Sequence, residues 1–127
     1  MDWNKVIERL NWNNDKYDII TAKKELEELP DEYIKLLIQP ISKFHWDNAA
    51  DVIMNIGVDR VISIMDELLL WIQDMNWPGA IKIFNMLKES NNVLIDDYIA
   101  QAVKTAKSEN DEDWLENINM LIEARAE

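Results

Sequence analysis

The chain has 127 residues, 48% of them hydrophobic, and carries a formal net charge of −12. Such a length and apolar content suit one domain able to bury a core of its own. There is no cysteine, which excludes a disulfide framework, a thiolate nucleophile and a zinc–thiolate site. The acidic balance forfeits the counterion release that phosphate-backbone binding depends on, so nucleic acid is not an expected partner.

The elements read as helices from the first residues onward. Trp3, Val6, Ile7 and Leu10 fall at i, i+3, i+4 and i+7, the apolar stripe of a helix over about 2–10. Trp12 then opens a unit of approximately 12–45. Its first helix carries Ile19 and Ala22, interrupted at Lys16, and its second carries Ile34, Leu37, Ile38 and Ile41. Pro30, followed by Asp31 and Glu32 at the positive end of the helix dipole, is expected to open that second helix, and Pro40 to end or kink it. Trp46 opens the next unit, 46–76, with Ala50, Ile53 and Ile56 followed by Leu68, Trp71, Ile72 and Met75. Gly57 suits the position just past the first of these helices, and Asp59 the cap of the second.

The third unit, 77–113, repeats the pattern with Ile81, Phe84 and Leu87, then Ile99, Ala102, Val103 and Ala106. Asn76 is its expected N-cap, Pro78 falls in the first turn, and Asn91-Asn92 separates its two helices. Trp114 opens a last helix with Ile118, Leu121 and Ile122, capped by Asn110-Asp111. Trp12, Trp46, Trp77 and Trp114 stand 34, 31 and 37 residues apart. This regularity predicts an all-α chain: a short α-solenoid of antiparallel helix pairs (HEAT-like repeats), about eight helices in a single compact domain spanning 1–127, with capping helices at 2–10 and 111–125.

Function is harder to place than architecture. Trp12, Trp46, Trp71, Trp77 and Trp114 read as structural joints between repeats, since large aromatics dominate core burial. Leu68-Leu69-Leu70-Trp71-Ile72 is apolar beyond its stripe, so this helix is either covered on both sides or offers leucine to a partner. His45, the only histidine, has no cysteine to pair with and takes a structural or surface role at the turn before Trp46. No glycine-rich phosphate loop, calcium loop or catalytic constellation is present, so neither a metal nor another cofactor is expected, and the chain reads as a non-enzyme. The acids cluster at Glu25–Glu32 and Glu109–Glu116. The pairs Asp66-Glu67 and Asp96-Asp97 sit in first turns, where they complement helix dipoles, while Gln73, Asp74 and Asn76 sit at a turn where they can cap backbone groups. Asp66, Glu67, Gln73, Asp74, Asp96 and Asp97 are the candidate interaction surface.

The segment Leu68–Ala80, LLLWIQDMNWPGA, resembles the hallmark of a family of small bacterial helical-repeat proteins whose shared domain has no known function. The chain departs from that pattern at Ile72, where leucine is usual, and Asp113-Trp114 resembles the family's ending. The resemblance implies a compact HEAT-like helical array and brings no catalytic residue. Small acidic bacterial proteins of this kind also resemble immunity proteins against toxins, an analogy of fold and charge.

These readings converge on a non-catalytic protein–protein interaction module, acidic and selective for a basic protein partner, with an immunity or antitoxin-like inhibitor as its specific form. The alternative is a HEAT-like enzyme or nucleic-acid repair protein working through a buried carboxylate, which the net charge of −12 disfavours. No segment is long and apolar enough to span a bilayer, and the N-terminus lacks a signal sequence, so a cytoplasmic monomer or weak homo-oligomer is expected.

Overall fold

The computed structural model describes residues 1–126, and within them every regular element is helical. Helix α1 (Trp3–Glu8) is started by Asp2, whose carboxylate accepts from the Asn4 N–H at 3.1 Å. Helix α2 (Lys16–Leu26) is capped by Asp15, which accepts from the N–H groups of Tyr17 and Asp18. Trp12 therefore does not open α2. It lies in the preceding turn, where its N–H donates to the Phe44 carbonyl at 3.0 Å.

Asp31–Leu37 forms a 3₁₀ segment where the stripe Ile34-Leu37-Ile38-Ile41 predicts a longer helix. Ile34 and Leu37 are buried, but Ile41 is 64% exposed. Pro40 supplies the reason: it has no N–H to continue the ladder and its ring opposes the turn before it. Gln39 and Ile41 on either side have positive φ of 38° and 54°.

Helix α3 (Lys43–Ile56) ends at Gly57, whose φ of 96° lies in a region open to glycine, as expected. His45 is not at a turn but inside the first turn of α3, buried, with Nδ1 2.9 Å from the Ser42 hydroxyl. The second helix of that unit is broken into α4 (Val58–Val61), a 3₁₀ turn at Ile62–Ile64 and α5 (Met65–Trp71). The β-branched run Val58, Val61, Ile62 and Ile64 explains the break, since such side chains crowd the preceding helical turn. Asp59 does not cap a helix there; its carboxylate accepts from the Asn92 amide at 2.9 Å.

Helix α6 (Ala80–Glu89) begins later than Asn76 and Pro78 predict, with left-handed Gly79 at its start. Asn76 instead donates its N–H to the Asp74 carboxylate at 2.8 Å. Helix α7 (Leu94–Ser108) buries Ile95, Ile99, Ala102 and Ala106, and α8 (Glu112–Ala126) buries Trp114, Ile118 and Leu121. Asp111 caps α8 by accepting from the Trp114 N–H at 3.0 Å, as its position predicts.

Helices α2, α3, α6 and α8 form a row in which each packs on the next. The remaining elements pack on the row: α1 on α2 and α3, the 3₁₀ segment on α3, α5 on α6 and α7, and α7 on α8. The core is continuous from Val6 to Leu121. This order brings the turn after α5 against the N-terminal half of α8, where the candidate site lies.

Candidate interaction surface

The floor of the site is the LLLWIQDMNWPGA segment. Leu68, Leu69, Trp71 and Ile72 are buried, whereas Leu70 is 39% exposed, so the apolar run is covered on most of its circumference and leaves one leucine in water. A helix ends with carbonyls that lack partners within it, and α5 finds these on α8. Trp114 Nε1 donates to the Leu69 carbonyl at 3.0 Å, and Asn117 Nδ2 donates to the Ile72 and Gln73 carbonyls at 2.8 and 3.3 Å. Trp71 Nε1 reaches forward to the Pro78 carbonyl at 2.9 Å. Trp46 meets the edges of Trp71 and Trp77 at ring-centre distances of 6.3 and 5.8 Å, the T-shaped geometry aromatic quadrupoles favour.

Gly79 completes this joint. A Cβ there would lie 2.8 Å from Trp71 Cζ2 and 3.0 Å from both Ala50 Cβ and the Trp46 carbonyl, at a φ of 86°. Only glycine satisfies both the conformation and the close approach. The motif is therefore a clamp joining α3, α5, α6 and α8.

Above the clamp, Gln73, Asp74, Met75, Asn76, Asp113, Glu116 and Asn117 line an open depression of about 430 Å³. Asp113, Glu116 and Asn117 project from one face of α8, at i, i+3 and i+4, toward the α5–α6 turn. Asp74 is fixed by its bond from the Asn76 N–H, and none of the three rim carboxylates forms an ion pair among the described residues. Of the candidate residues, Gln73 and Asp74 thus share one concavity. Asp66 and Glu67 are exposed on the first turn of α5, and Asp96 and Asp97 on the first turn of α7; none of these four lines it. Asp96 is engaged by Arg125 Nε at 3.0 Å. Asp113, Glu116 and Asn117 stand outside that candidate set, although the first two belong to the acidic cluster Glu109–Glu116. Their signal was the Asp113-Trp114 pair followed by polar residues on one helical face.

Two lysines of the row are tied into its construction. Lys23 of α2 meets Asp51 of α3 at 2.8 Å, and Lys82 of α6 meets both Asp51 and Asp47 at 2.8 Å. Burial would push the Asp51 carboxyl up, yet the two ammonium groups on its oxygens hold it below the usual carboxylate range. Burial likewise disfavours the Lys82 cation, and the Asp47 and Asp51 carboxylates outweigh it and raise its pKa.

Among the described residues no group of His, Cys, Asp or Glu has the arrangement to hold a metal ion, and no helix is long and apolar enough to cross a membrane. His45 is the one polar or charged residue that is buried among them. Residues 38–127 match a family described as Domain of unknown function (DUF5071), a stretch that contains both the clamp motif and Asp113-Trp114. No curated protein and no solved structure matches the chain.

Proposed function

We propose that this chain, which belongs to the DUF5071 family of domains of unknown function, is a protein–protein interaction module that takes a basic partner on the acidic depression between the α5–α6 turn and α8. The reading rests above all on the placement of Asp74, Asp113 and Glu116. Three carboxylates without cationic partners among the described residues converge on a concavity whose floor is fixed by tryptophan and asparagine hydrogen bonds. A rigid acidic rim loses little entropy on binding and steers lysine and arginine through its field. The net charge of −12 acts in the same direction at longer range.

We read the array as a short HEAT-like α-solenoid of antiparallel helix pairs, with the row α2-α3-α6-α8 as one layer. Within that reading, an immunity or antitoxin-like inhibitor of a basic protein in the cytoplasm is the specific form we favour. The competing reading, an enzyme or nucleic-acid repair protein, needs a buried carboxylate in a basic cleft. The most enclosed candidate in the row, Asp51, remains 27% exposed with both oxygens taken by lysines.

Affinity capture from native lysate, with the wild type and with Asp74→Asn/Asp113→Asn/Glu116→Gln, tests the proposal. At low salt the wild type retains basic proteins that elute at high salt, because exposed charge pairs are screened. Three lost pairs worth about 0.5–1 kcal/mol each lower retention by roughly tenfold or more in the variant. Capture of nothing, or equal capture by both proteins at both salts, overturns it.

A further inference from the structure

We propose that this protein associates with a second copy of itself head to tail, the outer face of α8 on one molecule docking on the outer face of α2 on the next. The two helices stand at opposite ends of the row α2-α3-α6-α8, and each has a single neighbour within it. Their solvent faces are complementary in charge.

On α2, Lys16, Ile20 and Lys24 follow one another at i, i+4 and i+8, flanked by Tyr17, and within Lys16–Leu26 this exposed arc contains no acid, the C-cap Glu27 standing at its far end. Tyr17 is 77% and Ile20 43% exposed, so the face is apolar as well as basic. It borders a depression of about 360 Å³ whose walls include Trp12, Lys16 and Ile20. On α8, Glu112, Glu116 and Met120 stand at the same spacing, with Glu123 on the same arc, and no lysine or arginine interrupts them. Met120 is 44% exposed and can reach the Trp12 and Ile20 side chains of that depression. Neither the two lysines nor the three glutamates form an ion pair among the described residues.

Inside the row, the first three helices already meet through lysine–carboxylate bridges, Lys23 of α2 to Asp51 of α3 and Asp51 to Lys82 of α6. The junction of α8 with the next molecule's α2 extends that alternation across copies. It uses two different patches, so it is heterologous and joins molecules into a ring or a filament instead of an isologous pair.

The experiment is sedimentation of the purified full chain over a wide concentration range at about 0.15 M salt, where net repulsion is screened beyond about 8 Å but contact pairs persist. Three samples decide it: the wild type, Lys16→Glu/Lys24→Glu and Glu116→Lys/Glu123→Lys. All four substituted side chains are exposed, and circular dichroism establishes that the variants stay helical. The wild type is expected to rise above the monomer mass with concentration, and each variant alone to remain monomeric. An equimolar mixture of the variants regains the wild-type behaviour, because each face again meets its opposite, and it does so at the same mean charge as the wild type. A wild type that stays monomeric, variants that associate as well as the wild type, or a mixture that fails to recover overturns the proposal.

Discussion

Trp71 and Trp12 both read as joints between repeats, yet their surroundings are opposite. Trp71 is fully buried, bonded to the Pro78 carbonyl and wedged against Gly79 and Trp46. Trp12 is 47% exposed and meets Phe44 edge-on in a turn outside any helix. The segments around them differ in the same way: α5 ends on hydrogen bonds from α8, whereas the 3₁₀ segment Asp31–Leu37 ends at a proline and leaves Ile41 in water. Trp71 becomes a joint because the chain beyond α5 brings it a hydrogen-bond acceptor and close packing. At Trp12 that close packing is missing.

The contrast can be broken by mutation. Trp71→Ala is expected to cost about 3–5 kcal/mol, the range for deleting a buried large aromatic, read from the denaturant midpoint. A cost near that of Trp12→Ala, for which we expect under about 1 kcal/mol, would erase the distinction. Gly79→Ala comes next, at about 2–4 kcal/mol, because a left-handed backbone and a Cβ overlap with Trp71 act together. Gly57→Ala shares the positive φ but meets nothing within 4 Å, so it should cost less. Trp114→Phe keeps most of the packing and leaves the buried Leu69 carbonyl without its indole donor, costing about 1–3 kcal/mol.

The smallest expected effect is electrostatic. Asp51→Asn removes the anion that Lys23 and Lys82 share and should lower stability at neutral pH by about 1 kcal/mol. The Asp51 carboxyl is held below its unfolded value, so its contribution is complete above an unfolded pKa of about 3.9 and is lost as the pH falls through the lower folded value. Acid titration of the wild type should therefore fall more steeply in that window than titration of Asp51→Asn. Parallel curves would contradict the bridge.

The apolar stripes were legible in the sequence because burial repeats with the helical period: Ile34, Leu68, Trp71, Ile99 and Ala106 all lie inside. What escaped was local. Asn76 and Pro78 carry the chemistry of a helix start, but Trp77 must reach Trp46 and the chain must turn at Gly79 first, which delays α6 to Ala80. The break at Ile62–Ile64 depends on how β-branched residues crowd, which periodicity does not register. The site was half legible for a similar reason. Gln73 and Asp74 belong to a segment whose composition stands out, whereas Asn117 reaches the Ile72 carbonyl from 45 residues away, a meeting that only the packing of α8 on α6 creates. Asp66, Glu67, Asp96 and Asp97 looked alike in the sequence because helix first turns collect acids for their dipoles wherever they lie.

The most direct test of the clamp as the rigid floor of the acidic site is native-state hydrogen exchange, resolved by residue. The amides of Leu69, Trp71 and Ile72 should exchange only through global unfolding, with the full unfolding free energy. Those of Ile38 and Ile41, beside Pro40, should exchange through local opening at least tenfold faster. Equal protection of the two segments, or faster exchange across α5 and its turn, would contradict the account.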